Sequence, residues 1–178
     1  MPDWTRRFAI ACTFAAGVVI IDQGTKAAAL STLSEYERIP LLGQFLGLQL
    51  AFNPGAILSL GAQFTWLLTV LGVGAVILLV IAAARARTVW WAVGLGFILG
   101  GAIGNLIDRL FSPPGFGIGH VTDFLAYSDW FIGNLADVAL GIGVIILAGH
   151  MWIRREQPSR APSANPEAEP VTGEVNAP

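Results

Sequence analysis

Charge is what this sequence has least of. Only 12% of its 178 residues are Asp, Glu, Lys or Arg, about half the share in a soluble domain, while 54% are hydrophobic. So few charges cannot cover a water-soluble globule, which leaves lipid as the solvent for most of the chain. A formal net charge of -2 gives no basic surface for nucleic acid. A single cysteine, Cys12, excludes a disulfide framework and a thiolate metal cage. No His/Cys ligand spacing marks a metal site. Ser59 could pair with Lys26, but no nucleophile elbow or oxyanion motif surrounds it. Internal repeats, the usual architecture of transporters, are also missing.

Four apolar stretches are present, at about 8–30, 64–84, 89–106 and 132–153. Each can cross about 30 Å of hydrocarbon as a helix. Strands alternating over barrel length are not seen, so helices must satisfy the backbone in lipid. Asp22, Gln23 and Lys26 interrupt the first stretch where a cleaved signal peptide would be neutral, so it reads as a retained helix. Arg6 and Arg7, Arg85 and Arg87, and Arg154, Arg155 and Arg160 flank the spans and account for seven of the ten basic residues. The positive-inside rule puts these segments and both termini in the cytoplasm. The two longer loops, about 31–63 and 107–131, then face outward.

Within the first loop, Leu46, Leu48, Leu50 and Phe52 recur with period two, which predicts a strand with one apolar face over 44–52. The turn Asn53-Pro54-Gly55 ends it. The expected fold class is an all-α membrane protein, four transmembrane helices with a small extracytoplasmic β element between helices 1 and 2. Residues 1–155 form the membrane domain. Residues 156–178 hold five of the ten prolines, four glutamates and no aromatic residue, and read as a disordered cytoplasmic tail.

The polar residues left over gather at one depth. Asp22 and Lys26 share a helix face near the outer end of span one. Asn105, Asp108 and Arg109 end span three, Asp123 lies in the second outer loop, and Asn134 and Asp137 open span four. Cys12 and His150 lie at the opposite end, Cys12 reading as a small buried hydrophobe. His120 lies close to the cluster but stands alone. Each pair could serve structure, but four segments placing polar groups in one leaflet predict a site. Its chemistry is carboxylate chemistry. Two aspartates sharing one proton have split pKa values, so one can take a proton from water while the other polarises a carbonyl. Which two of Asp22, Asp108, Asp123 and Asp137 form that dyad is open at this level.

Five blocks carry a resemblance. They are Asp22-Gln23-x-x-Lys26; Phe52-Asn53-Pro54-Gly55-Ala56 with Ser59; Gly100-Gly101-Ala102-x-Gly104-Asn105-x-x-Asp108-Arg109; His120-Val121-Thr122-Asp123-Phe124; and Asn134-Leu135-Ala136-Asp137. In this order, on four spans, the sequence resembles the lipoprotein signal peptidases (signal peptidase II), bacterial membrane aspartyl proteases. The resemblance implies that Asp123 and Asp137 are catalytic. It further implies that Asp22, Lys26, Asn53, Gly55, Asn105, Asp108, Arg109 and Asn134 shape the site or hold substrate. It implies no cofactor and no metal. The partners it implies are diacylglyceryl-modified prolipoprotein signal peptides, cut before the lipidated cysteine, and membrane lipid. The expected location is the bacterial cytoplasmic membrane with the site near the outer face. Gly133, Val138 and Ile57-Leu58 depart from the family pattern beside the motif residues and bear on substrate fit. The rival readings are a small proton- or ion-coupled transporter and a non-enzymatic assembly subunit.

Overall fold

The computed structural model describes residues 2–56 and 60–155, so the expectations for Ser59, Leu58 and the tail 156–178 lie outside the described residues. Four helices, α1 (Asp3–Thr32), α2 (Thr65–Ala84), α3 (Val89–Phe111) and α4 (Leu135–Arg155), are each long and apolar enough to cross a membrane. Their apolar side chains point outward. Ile20, Ile21, Val70, Leu78, Ile145 and Trp152 are all exposed, an arrangement that is stable only against lipid. Cys12 is also exposed rather than buried as expected, because it lies on the outward side of α1 next to the buried Ala11.

Helix α3 is the central member and touches the other three. Small residues permit this. A Cβ at Gly96 would lie 2.7 Å from the Ala11 carbonyl oxygen, and one at Gly100 would lie 2.8 Å from that of Ala15. Lipid tails are as apolar as leucine, so helices in a bilayer gain by close van der Waals approach, which side-chain-free positions provide. Gly100→Ala should therefore force α1 away from α3 and destabilise the protein by about 1–3 kcal/mol. A lower midpoint of thermal unfolding in detergent checks this; Gly24→Ala, whose added Cβ meets nothing within 4 Å, is the control.

The connections differ from expectation in an informative way. Between α1 and α2 the chain forms β1 (Ile39–Leu42) and β2 (Leu46–Asn53), as the period-two pattern predicts. The α3–α4 connection adds two more strands, β3 (Val121–Tyr127) and β4 (Phe131–Gly133), and all four make one antiparallel sheet in the order β1-β2-β3-β4. The apolar run at 132 thus starts as strand, and α4 begins at Leu135. Helices α1 and α3 run past the predicted ends to Asp3 and Phe111, so Asn105, Asp108 and Arg109 are helical. The register of β2 slips by one residue against β3 between Leu48 and Ala51. That bulge breaks the single apolar face: Leu50 packs with Phe124 and Ala29, whereas Phe52 is exposed. A second cluster, Ala11, Ala83, Ala86, Ala92 and Leu95, closes the other end of the bundle.

Candidate active site

Lys26 organises the first part of the site. Its Nζ lies 2.9 Å from Asp22 Oδ2, four residues back on α1, and 2.9 Å from Asp108 Oδ2 on α3. Gln23 Nε2 donates to Asp22 Oδ2 at 3.2 Å, to the Gly104 carbonyl at 3.2 Å and to Asp108 Oδ1 at 3.1 Å. The Ala136 amide donates to Asp22 Oδ1 at 3.0 Å, and the Thr122 amide to Asp108 Oδ2 at 3.1 Å. All three charged residues are buried, Asp22 at 0%, Lys26 at 2% and Asp108 at 4% exposure. Charges so far from water persist only when paired and fully hydrogen-bonded, and this cluster meets that condition. It ties together α1, α3, the start of β3 and the start of α4. Gly104 is required beside it, since a Cβ there would lie 2.5 Å from Asp22 Oδ2.

The second part is built at the N-terminus of α4. Asn134 Oδ1 accepts from the Asp137 amide at 3.1 Å, and Asp137 Oδ2 accepts from the Asn134 amide at 3.1 Å. This is a reciprocal capping box, with Asn134 as the cap rather than a helical residue. It fixes both side chains. Asn134 Nδ2 is then free to donate to Asp123 Oδ1, at 2.6 Å. Asn105 joins the two parts: its Oδ1 accepts from Lys26 Nζ at 3.0 Å and its Nδ2 donates to Asp137 Oδ1 at 3.0 Å. The lysine thereby sets which way the Asn105 amide faces.

A third contribution comes from the turn after β2. Asn53 Oδ1 accepts from the Gly55 amide at 2.9 Å, closing an Asx turn, and its side chain also hydrogen-bonds Asp123. Arg109 donates to the Pro54 carbonyl at 3.3 Å and to the Gly55 carbonyl. Thr65 Oγ1 donates to Pro54 at 2.8 Å. The turn is thus held over the aspartates from α3 and α2.

These parts enclose a cavity of about 470 Å³ whose lining includes Asn53, Gly55, Asn105, Arg109, Asp123, Asn134 and Asp137. Of the ten residues expected at the site, those seven face the cavity. Asp22, Lys26 and Asp108 stand behind it and hold it. Val121, Phe131, Ile132 and Leu140 complete its apolar wall. Burial pushes the Asp123 carboxyl up to about 7; its bonds from Asn134 and Asn53 and the nearby Lys26 charge oppose that shift, while Asp137 adds to it. The His120 amide donates to the Pro113 carbonyl at 3.0 Å, and His120 is not among the residues lining the cavity. His150 meets Thr88 at the other end of the bundle. The sequence reading missed three contributors. Gln23 stands in the first motif block, and its place beside Asp22 is the signal for it in the sequence. Thr65 and the apolar pair Phe131-Ile132 had no signal, because only the fold brings them to the cavity.

The model of the family described as "Signal peptidase (SPase) II" matches residues 14–153. A lipoprotein signal peptidase of Leifsonia xyli subsp. xyli is 46% identical over 133 residues, 73% of this chain and 62% of that protein's length. A lipoprotein signal peptidase of Bifidobacterium longum subsp. infantis is 37% identical over 171 residues, covering 92% of this chain and 93% of the relative. The fold is that of a solved bacterial membrane enzyme, with a TM-score of 0.72 at 24% identity over 91% of this chain and 94% of the other. With a family match across all four helices and both halves of the site, the chain belongs to the signal peptidase II family.

Proposed function

We propose that this protein is an intramembrane aspartyl endopeptidase that removes the signal peptide from diacylglyceryl-modified prolipoproteins, with Asp123 and Asp137 as the catalytic pair. One observation carries the assignment. Asp22 and Asp108 share Lys26, whereas among the described residues Asp123 and Asp137 form no ion pair and both line the cavity. Asn134 bridges them, donating to one and capping with the other.

The chemistry follows from that difference. Asp123 holds the shared proton and donates it to the carbonyl oxygen of the scissile peptide. Asp137 takes a proton from water as its oxygen attacks the carbonyl carbon. The resulting diol collapses with cleavage of the C–N bond as Asp137 gives its proton to the departing amine and Asp123 takes one from a diol hydroxyl, which restores the starting state of the pair. Asn105 and Asn134 keep the carboxylates oriented throughout. The transporter reading has no support in the family match, and the site lies at one end of the bundle rather than at mid-depth.

The arginines at the opposite end of the bundle, Arg6 and Arg7, Arg85 and Arg87, and Arg154 and Arg155, support a cytoplasmic location for the N-terminal end of α1 and the C-terminal end of α4. The site then faces the outer leaflet, where the peptide bond ahead of a lipid-anchored cysteine lies. The membrane-spanning helices α3 and α4 contribute Asn105, Arg109, Asp137 and Leu140 to the cavity lining, so an apolar signal helix would reach it without leaving the bilayer.

The test is cleavage of a lipidated prolipoprotein by the purified protein, read by product mass, with unmodified precursor and chelator as comparison arms. Cleavage before the lipidated cysteine, unaffected by chelator, is expected. Equal cleavage of the unmodified precursor, or loss of activity with chelator, overturns the proposal. Raising the pH through about 7 deprotonates Asp123, so kcat/KM should fall there by about tenfold per pH unit. The same shift lowers stability as pH rises between 3.8 and about 7, because in that window only the folded state retains the proton.

A further inference from the structure

Asp123 is reached from two sides. Besides the larger cavity, a second one of about 320 Å³ adjoins it: Asn53, Asp123, Phe131 and Ile132 line both, and Ala51, Phe52 and Trp130 line the second alone. It does not include Asp137 or any residue of a membrane-spanning helix. It runs from Asp123 across the sheet, and its far wall is the β3–β4 turn. That turn is held by Arg38, which donates to the Ser128 carbonyl at 2.9 Å and pairs with Asp129 at 3.2 Å. Trp130 follows in the same turn and is 81% exposed, so its side chain is not part of the core.

An endopeptidase has chain on both sides of the bond it cuts. Here those sides differ in chemistry: an apolar signal segment before the bond, and after it the lipidated cysteine followed by ordinary polypeptide bound for water. Resting on the reading above, we propose that the second cavity receives the residues following the lipidated cysteine, and that Trp130 with Phe52 discriminates among them by side-chain contact. The larger cavity, bordered by Leu140 of α4 and by Asn105 and Arg109 of α3, is left for the signal segment. Its 320 Å³ lies at the low end of the roughly 300–1,000 Å³ typical of ligand pockets, a size suited to a short peptide segment and not to two acyl chains. An aromatic face offers contact area at small entropic cost, which is why Trp and Tyr dominate peptide-recognition surfaces.

The experiment compares two lipidated substrates in the same detergent, one ending in an amide at the cysteine and one continuing for several residues with an apolar side chain directly after it. Wild type should show the lower KM for the longer substrate. Trp130→Ala should raise KM about fivefold to tenfold for the longer substrate with kcat nearly unchanged, leave the truncated substrate unaffected, and so erase the difference. Phe52→Ala, at a second exposed position, should act in the same direction. If Trp130 is only an anchor in the membrane interface, both substrates will change together, and the proposal falls. It falls equally if wild type treats the two substrates alike. Failure of wild type to cut either one would instead overturn the peptidase assignment on which this inference rests.

Discussion

Asp123→Asn and Asp137→Asn should each lower kcat for prolipoprotein cleavage by on the order of 10³-fold or more while leaving the fold intact. Asparagine keeps the size and one acceptor oxygen of the carboxylate. At 137 it can still accept from the Asn134 amide, so the cap on α4 survives. It cannot accept a proton from water. At 123 it cannot give one to a carbonyl oxygen, and burial no longer has a titrating group to act on. Because the two act as one unit, the double variant should be no slower than the worse single variant. Unfolding midpoints in detergent should not fall below that of wild type, since no buried charge loses a partner. A single variant that cuts at the wild-type rate would remove its residue from the dyad. Asp22→Asn provides the contrast: it strips Lys26 of a 2.9 Å partner and should reduce stability as well as rate.

Much of this arrangement was legible in the sequence, for physical reasons that also explain what was not. Hydrophobic length is a local property, so four spans could be read directly, and flanking arginines ordered them. The leucine alternation announced β2 for the same reason. Strand β3 gave no such signal. In Val121–Tyr127 most residues are buried, on both faces of the strand, so the segment shows no period of two. Strand β4 has three residues, too few to show a pattern. Eight of the ten expected site residues are visible as misplaced polarity in an apolar chain, Asn53 and Gly55 only through the resemblance, and the pairing is not visible. Asp22 and Lys26 are four apart on one helix, whereas the contact that takes Asp108 out of contention spans 82 positions from Lys26 and exists only because glycines let α1 and α3 approach. Likewise Asn134 and Asp137 looked like two residues on one helix face. The capping box makes one of them the end of the helix and turns its amide toward Asp123.

Lys26→Met should be the most destabilising single substitution at the site. Among the described residues, Lys26 is the one cation within ion-pair distance of both Asp22 and Asp108, and both carboxylates are buried almost completely. Methionine matches the length of the side chain but leaves two carboxylates facing each other without a counter-charge. Breaking a buried pair in this way costs about 3–5 kcal/mol, enough to lower the yield of folded protein and its unfolding midpoint in detergent sharply. A second loss is separable from the first. Without Lys26 Nζ, nothing holds Asn105 Oδ1, and the Asn105 amide no longer faces Asp137 reliably. Adding Asp22→Asn and Asp108→Asn to Lys26→Met removes the unpaired charges, so most of the stability should return. The kcat should remain low, because the orientation of Asn105 depends on the lysine and not on the neutrality of its surroundings. If the single variant unfolds at the wild-type midpoint, the buried cluster does not hold the bundle together. If the triple variant recovers kcat along with stability, the lysine acts on the fold alone and not through Asn105 on the aspartate beside the scissile bond.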